Sequence, residues 1–266
     1  MLIQRIITAL VLGSAVTAAV LWLPTWFAGL ILGVIFLAGA WEWAGLARLH
    51  DALRVLYVLL FLALMLSGPW WVLRSDVMAA AVGVAVLWWL VALAVVLTFP
   101  RKLPLAAVGV AGFAALLPAW ASLTYLHGSS PKGPGLTMTV LAVVWAADVG
   151  AYFTGRAFGR VKLAPNVSPG KTWEGVCGGL ALAAAVAAVA GYLLETRIGA
   201  LVLIGVATAL VSVLGDLTVS VCKRNVGVKD SGRLLPGHGG VMDRIDSLSA
   251  AAPMFLLAMA SAGMLA

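Results

Sequence analysis

The chain has 266 residues, 63% of them hydrophobic and 10% charged, with a mean hydropathy of +1.09. That excludes an ordinary soluble domain, which needs far more charged surface, and no hydrophilic stretch is long enough to fold by itself. The net charge of +7 is not a nucleic-acid footprint, because the basic residues sort by membrane side, and two cysteines in apolar context, Cys177 and Cys222, give no disulfide framework.

A bilayer core takes about 20 apolar helical residues per crossing, and by that measure roughly nine runs follow one another. In chain order they cover residues 6–23, 27–46, 55–73, 77–99, 103–126, 136–155, 173–194, 198–222 and 248–265. The first, preceded by Gln4 and Arg5, imitates a secretory signal but is read as an uncleaved span. Pro24, the charged segments 48–54, 74–76 and 100–102, the glycines at 128–135, and the polar segments 156–171 and 195–197 separate the runs. The expected fold is therefore an all-α polytopic membrane protein, a single integral-membrane domain. Residues 1–135 are expected to be mainly scaffold, and 136–266 to carry the chemistry.

With the N-terminus in the cytoplasm, only Arg74, Lys132 and Arg197 of the 17 Lys and Arg fall outside. The rest lie on inner segments, as the positive-inside rule requires. The C-terminus is then outside. Trp22, Trp26, Trp70, Trp71 and Trp173 fall near span ends, where interfacial anchoring places them.

The acidic residues are the most informative inventory. Asp51, Asp76 and Glu195 read as solvated loop charges, and Glu42, between Trp41 and Trp43, as an interfacial carboxylate. Asp148 and Asp216 lie within apolar runs, where a carboxylate costs roughly 2.5–3.5 kcal/mol on insertion scales and is usually paired, cavity-facing and functional. The plainer alternative for both is an interhelical ion pair or a protonated carboxyl. Asp243 and Asp246 share a face if 242–247 is helical, and carboxylates so placed suit Mg²⁺ shared with a substrate phosphate.

Upstream of that pair runs Pro236-Gly237-His238-Gly239-Gly240, whose glycines permit close approach of backbone N–H groups to an anion. Lys223, Arg224, Lys229 and Arg233 precede it, enough positive charge to hold a polyphosphate. These are the parts phosphoryl-type transfer needs. Attraction of a polybasic loop to anionic lipid explains the charge but neither the glycines nor the aspartates. A second polar stretch, Asp148 to Arg156 and then Lys162 to Gly175, repeats the theme. Its Gly170-Lys171-Thr172 is no P-loop, because Pro165 stands where that motif needs glycine. Lys171 and Thr172 can still contact phosphate at a helix start.

Ser220-Val-Cys-Lys223-Arg224, Lys229-Asp230-Ser-Gly232, Leu235-Pro-Gly-His-Gly-Gly240 and Asp243-Arg244-Ile-Asp246 together resemble the characteristic pattern of the phosphatidate cytidylyltransferases, or CDP-diacylglycerol synthases. The segments 148–156 and 166–175, and Gly215-Asp216, are similar to further blocks of that family, so the resemblance covers roughly residues 140–250. It implies that CTP and phosphatidate give CDP-diacylglycerol and pyrophosphate with a divalent metal. It also implies a homodimer and a second, monovalent cation such as K⁺. In this reading Asp148, Asp216, Asp243 and Asp246 hold metal, while Lys223, Arg224, Lys229, Asp230, His238 and Arg244 act in catalysis. Arg156, Lys171, Thr172, Ser220, Gly237, Gly239 and Gly240 bind substrate. His238 protonates or positions a phosphate, or merely holds the glycine turn. A phosphate monoester already carries a nucleophilic oxygen, so no serine or cysteine nucleophile is needed. The expected setting is the inner membrane, with the site facing the cytoplasm. The rival readings are a CTP-dependent kinase of an isoprenoid alcohol, which releases CDP, and a transporter.

Overall fold

The structure is a computed structural model that describes residues 2–68, 75–232, 234 and 239–265, with backbone alone for 2–9 and 75. Its helices are α1 (Leu2–Trp22), α2 (Thr25–Leu46), α3 (Asp51–Leu66), α4 (Ser75–Thr98), α5 (Leu105–Gly128) and α6 (Gly133–Phe158). A hairpin of β1 (Lys162–Ala164) and β2 (Ser168–Thr172) follows, and then α7 (Trp173–Leu193), α8 (Ile198–Asn225) and α9 (Met242–Ser261). Pro24 and Pro104 stand immediately before α2 and α5, where a missing backbone N–H costs nothing. Thr172 caps α7 by accepting the Gly175 N–H at 3.2 Å.

Among the described residues six helices, α2 and α4 to α8, are long and apolar enough to cross a membrane. Three of the nine expected spans do not meet that measure within the described residues. α1 contributes only the shorter apolar stretch Leu10–Trp22 among residues whose side chains are described. The 16 residues of α3 reach about 24 Å at 1.5 Å per residue, short of a hydrocarbon core of roughly 30 Å. The expected third span ran on to 73, and 69–74, with Trp70, Trp71 and Arg74, lie outside the described residues. α9 begins at Met242, ahead of the expected 248, so its first two turns carry Asp243, Arg244, Asp246 and Ser247. The hairpin departs from an all-α fold: Lys162 pairs with Thr172 and Ala164 with Ser168, antiparallel, where loop was expected.

The helix ends gather in two sets. At one, Arg48 donates to the Val226 carbonyl (3.1 Å), and the Asn225 amide exchanges two bonds with the Leu103 backbone (2.9 and 3.1 Å). At the other, Thr25 meets His127 (3.0 Å), Lys132 donates to the Glu195 carbonyl (3.1 Å) and Arg197 donates to the Ala262 carbonyl. Between them Phe36, Trp43, Phe61 and Phe255 are fully buried. The outward faces are apolar, with Leu87, Leu97, Val110 and Leu203 each about two-thirds exposed or more. An apolar exterior between polar ends is what lipid demands, and two of the buried indoles, Trp43 and Trp120, find backbone acceptors as the same rule requires. Trp43 donates to the Val108 carbonyl at 2.7 Å and Trp120 to the Gly29 carbonyl at 2.9 Å.

α7 meets α6 through a stripe of small residues four apart, Gly175, Gly179, Ala183 and Ala187, all buried, and Gly191 continues it against Ile198 of α8. A Cβ on Gly179 would stand 2.6 Å from the Ala147 carbonyl oxygen, and one on Gly150 would stand 2.7 Å from that of Gly178. Backbones come this close only when side chains are absent, the usual device of helix pairs in membranes. The hairpin connects these two helices. Val167 in its turn is buried against Leu217 and Val221 of α8.

Candidate active site

α6, β2, α7, α8 and α9 enclose a cavity of about 600 Å³ at the end of the bundle that bears the hairpin. One wall is charged: Asp148 from α6, Lys171 from β2, Asp216 from α8, and Asp243, Arg244 and Asp246 from α9, with Arg156 at the rim. Apolar side chains, among them Val176, Leu180, Ala209 and Val213, complete the lining. The α8–α9 approach that forms the charged wall requires Gly215, where a Cβ would lie 2.4 Å from the Asp246 carbonyl oxygen.

The carboxylates fall into two groups by what engages them. Lys171 Nζ stands 2.7 Å from Asp216 Oδ2, and the Ser220 hydroxyl donates to Asp216 Oδ1 at 3.1 Å. Asp243 is engaged on both oxygens. Oδ1 takes a 2.7 Å bond from Lys223 Nζ, and Oδ2 takes the N–H groups of Ser231 (3.0 Å) and Gly240 (3.1 Å). Burial pushes the Asp243 carboxyl up, but the Lys223 ammonium and those two N–H groups outweigh it and hold it below the usual carboxylate range. Asp246, 8% exposed, accepts the Ser247 N–H at 2.7 Å. Asp148 opens onto the cavity beside the like charge of Asp216 and the cations Lys171 and Arg244. Asp246 in turn feels Asp216 and Asp148.

Three mutually repelling carboxylates in one cavity have the donor chemistry of a hard divalent cation. Among the described residues, however, no three such groups are gathered to ligating distance. Lysines supply the balancing charge, Lys171 at Asp216 and Lys223 at Asp243.

Of the residues expected from sequence, Asp148, Arg156, Lys171, Thr172, Asp216, Asp243, Arg244 and Asp246 line this one cavity. Ser220, Lys223 and Gly240 stand behind it, each bonded to one of its carboxylates. Gly239, at φ +83°, lies against Asp243 and Asp230. Arg224 turns away to the hairpin, donating to the Val167 carbonyl at 3.4 Å. Lys229 and Asp230 are exposed and do not line the cavity. Gly237 and His238, with Arg233, are outside the described residues.

Two features escaped the sequence. Glu42, read as interfacial, is 1% exposed and accepts bonds from the Ser231 hydroxyl and the Met242 N–H, both at 2.8 Å. Its signal was the one that flagged Asp148 and Asp216, an acid within an apolar run. The apolar part of the cavity lining had no local signal, since Val176 or Ala209 looks like any other residue of a span.

Fold and site together define a helical membrane protein with a cavity lined by carboxylates, cations and apolar side chains. A family model for the cytidylyltransferase family matches residues 3–262. A phosphatidate cytidylyltransferase of Pseudomonas aeruginosa is 45% identical over 99% of this chain and 98% of its own. Those of Haemophilus influenzae (41%, 96% and 97%) and Brucella suis (40%, 95% and 91%) are similar throughout. The chain belongs to the cytidylyltransferase family.

Proposed function

We propose that this chain joins CTP to phosphatidate, giving CDP-diacylglycerol and pyrophosphate. The observation that carries the reading is the mixed lining of the cavity, which joins carboxylates and cations to the apolar Val176, Leu180, Ala209 and Val213. A nucleotide needs only the charged groups; a lipid phosphate needs the apolar lining as well. A phosphatidate oxygen attacks the α-phosphorus of CTP. One P–O bond forms, the bond from that phosphorus to the β-bridging oxygen breaks, and pyrophosphate carries away the electron pair. Two anions must meet, so the protein's task is to screen charge and hold orientation. Lys171, Arg156 and Arg244 surround the cavity and do the screening. Lys223 holds Asp243, and Ser220 holds Asp216.

Asp148, Asp216, Asp243 and Asp246 would hold Mg²⁺, which when bound neutralises phosphate charge and favours pyrophosphate departure. The same reading includes a second, monovalent cation such as K⁺ and a homodimer. It places the protein in the inner membrane with nine spans, the N-terminus and the cavity on the cytoplasmic side, residues 1–135 as scaffold and 136–266 as the catalytic part. The excess of Lys and Arg on the cavity-side segments supports this orientation.

The test is turnover by detergent-purified protein with CTP, phosphatidate and Mg²⁺, following pyrophosphate and CDP separately. Pyrophosphate equal to the CDP-diacylglycerol formed is expected. Release of CDP would instead point to a lipid kinase. No consumption of CTP would sink both readings.

A further inference from the structure

Glu42 lies in the last turns of α2, far in sequence from the residues of the cavity, yet it is among the most deeply buried polar groups described. Its Oε2 accepts the Ser231 hydroxyl and the Met242 N–H. Its Oε1 is buried with no hydrogen-bond partner among the described residues. A desolvated, half-satisfied carboxylate is costly and persists only where the surroundings require it. Backbone closes tightly around it: a Cβ on Gly232 would lie 2.2 Å from Oε1, and one on Gly240 2.3 Å from Oε2. No side chain fits at either position without displacing the carboxylate.

Ser231 is gripped from two sides, its hydroxyl by Glu42 and its N–H by Asp243. Gly240 is bound by Asp243, and Met242 by Glu42. Two carboxylates therefore close the neck of the segment 231–240. Asp243 lines the cavity and the other comes from the half of the chain expected to be scaffold. Release of Glu42 would free the neck and, with it, the groups that hold Asp243 in place.

We propose that Glu42 is a positioning residue for the reaction: by accepting Ser231 and Met242 it fixes the neck of the 231–240 segment, and so sets how Asp243, backed by Lys223, is presented to the cavity. This rests on the function proposed above. Leu234, half exposed on that segment, gives a readout that does not depend on turnover. A spin label is placed at Leu234→Cys with Cys177→Ser to remove the exposed thiol; Cys222 is buried. Glu42→Ala, Glu42→Gln, Ser231→Ala and the Glu42→Ala/Ser231→Ala pair are then compared, with kinetics measured on unlabelled protein.

Glu42→Ala should mobilise the label and raise the KM for CTP by at least about tenfold while lowering kcat, as loss of orientation does. Glu42→Gln, whose amide oxygen can accept the same two donors, should rescue the label spectrum and stay within about threefold of the parent. The double variant should be no worse than Glu42→Ala alone, because a shared interaction is lost only once. If Glu42→Ala cannot be purified, Ser231→Ala must show the same two changes to a smaller degree. A rigid label and an unchanged KM in either variant would overturn the proposal, leaving Glu42 a packing staple. Damage by Glu42→Gln equal to that by Glu42→Ala would overturn it too. A parent that turns over no CTP would count against the reaction, while the label still reports whether Glu42 fixes the segment.

Discussion

Lys171 and Lys223 each neutralise one carboxylate at 2.7 Å, but their surroundings differ. The side chains of the Lys171–Asp216 pair are about a quarter exposed, at 25% and 27%, whereas those of Lys223 and Asp243 are 11% and 12% exposed. A wet pair contributes little to stability and can open for an arriving anion; breaking a buried pair strands a charge. Lys223→Met is therefore expected to destabilise the protein by roughly 3 kcal/mol, read as a lowered unfolding midpoint in detergent. Lys171→Met should unfold within a few degrees of the parent yet lose about 100-fold or more in turnover, as loss of a group that stabilises developing charge does. Asp246→Asn should insert normally and release no measurable pyrophosphate from CTP and phosphatidate. Near-normal activity in that variant would remove the carboxylate from the mechanism. At this scale the sequence was readable wherever a charge stood in the wrong solvent. Asp148 and Asp216 declared themselves that way, and Glu42 should have. Which lysine answers which aspartate was not readable, because Lys171 and Asp216 meet only after a hairpin and two helices have packed.

Among the elements, α6 and α7 approach through residues that offer almost no side chain. Gly179→Val would drive a β-branched side chain into the Ala147 carbonyl, since even its Cβ would stand 2.6 Å away. Overpacking of this kind costs typically about 1–3 kcal/mol, and it should disturb the cavity they share, lowering both thermal stability and turnover. Gly199→Ala is the matched control: it lies near the start of α8 with nothing within 4 Å of the added carbon. It should be neutral or gain up to about 1 kcal/mol from helix propensity. Equal damage by both would mean that the stripe has no special role. The small residues four apart were visible in the sequence as composition, but their partner was not. The hairpin was hidden for a different reason. Pro169 and Gly170 sit inside β2, and both argue against a strand in any extended sheet. A lone two-stranded ribbon leaves each strand an open edge, so a proline there forfeits no ladder bond.

For the molecule as a whole, hydropathy carried the order and most of the length of the helices, because a membrane constrains both more strictly than water does. It failed at α9, whose first turns are polar since they face the cavity. Orientation can be read from two single cysteines in a Cys177→Ser background. Arg197→Cys should react with an impermeant maleimide on cells whose inner membrane is intact, and Lys229→Cys only after that membrane is opened. The opposite pattern would invert the assignment of sides.

The bonds of Glu42 have a consequence for biogenesis. Ribosomes deliver α2 long before Ser231, which is 189 residues further on. Until then a carboxylate destined for full burial must stay hydrated at the membrane surface or shelter in the insertion machinery. The walls of the cavity arrive in the sequence α6, hairpin, α7, α8 and α9, so the aspartates of α9 and the closure over Glu42 come late. A nascent chain stopped after α8 would already own a packed pair of helices and a Lys171–Asp216 contact, yet would have no closed site. Inertness during synthesis is thus built into the order of the helices, and an enzyme that handles nucleotide and lipid together becomes competent only as its final described helix docks.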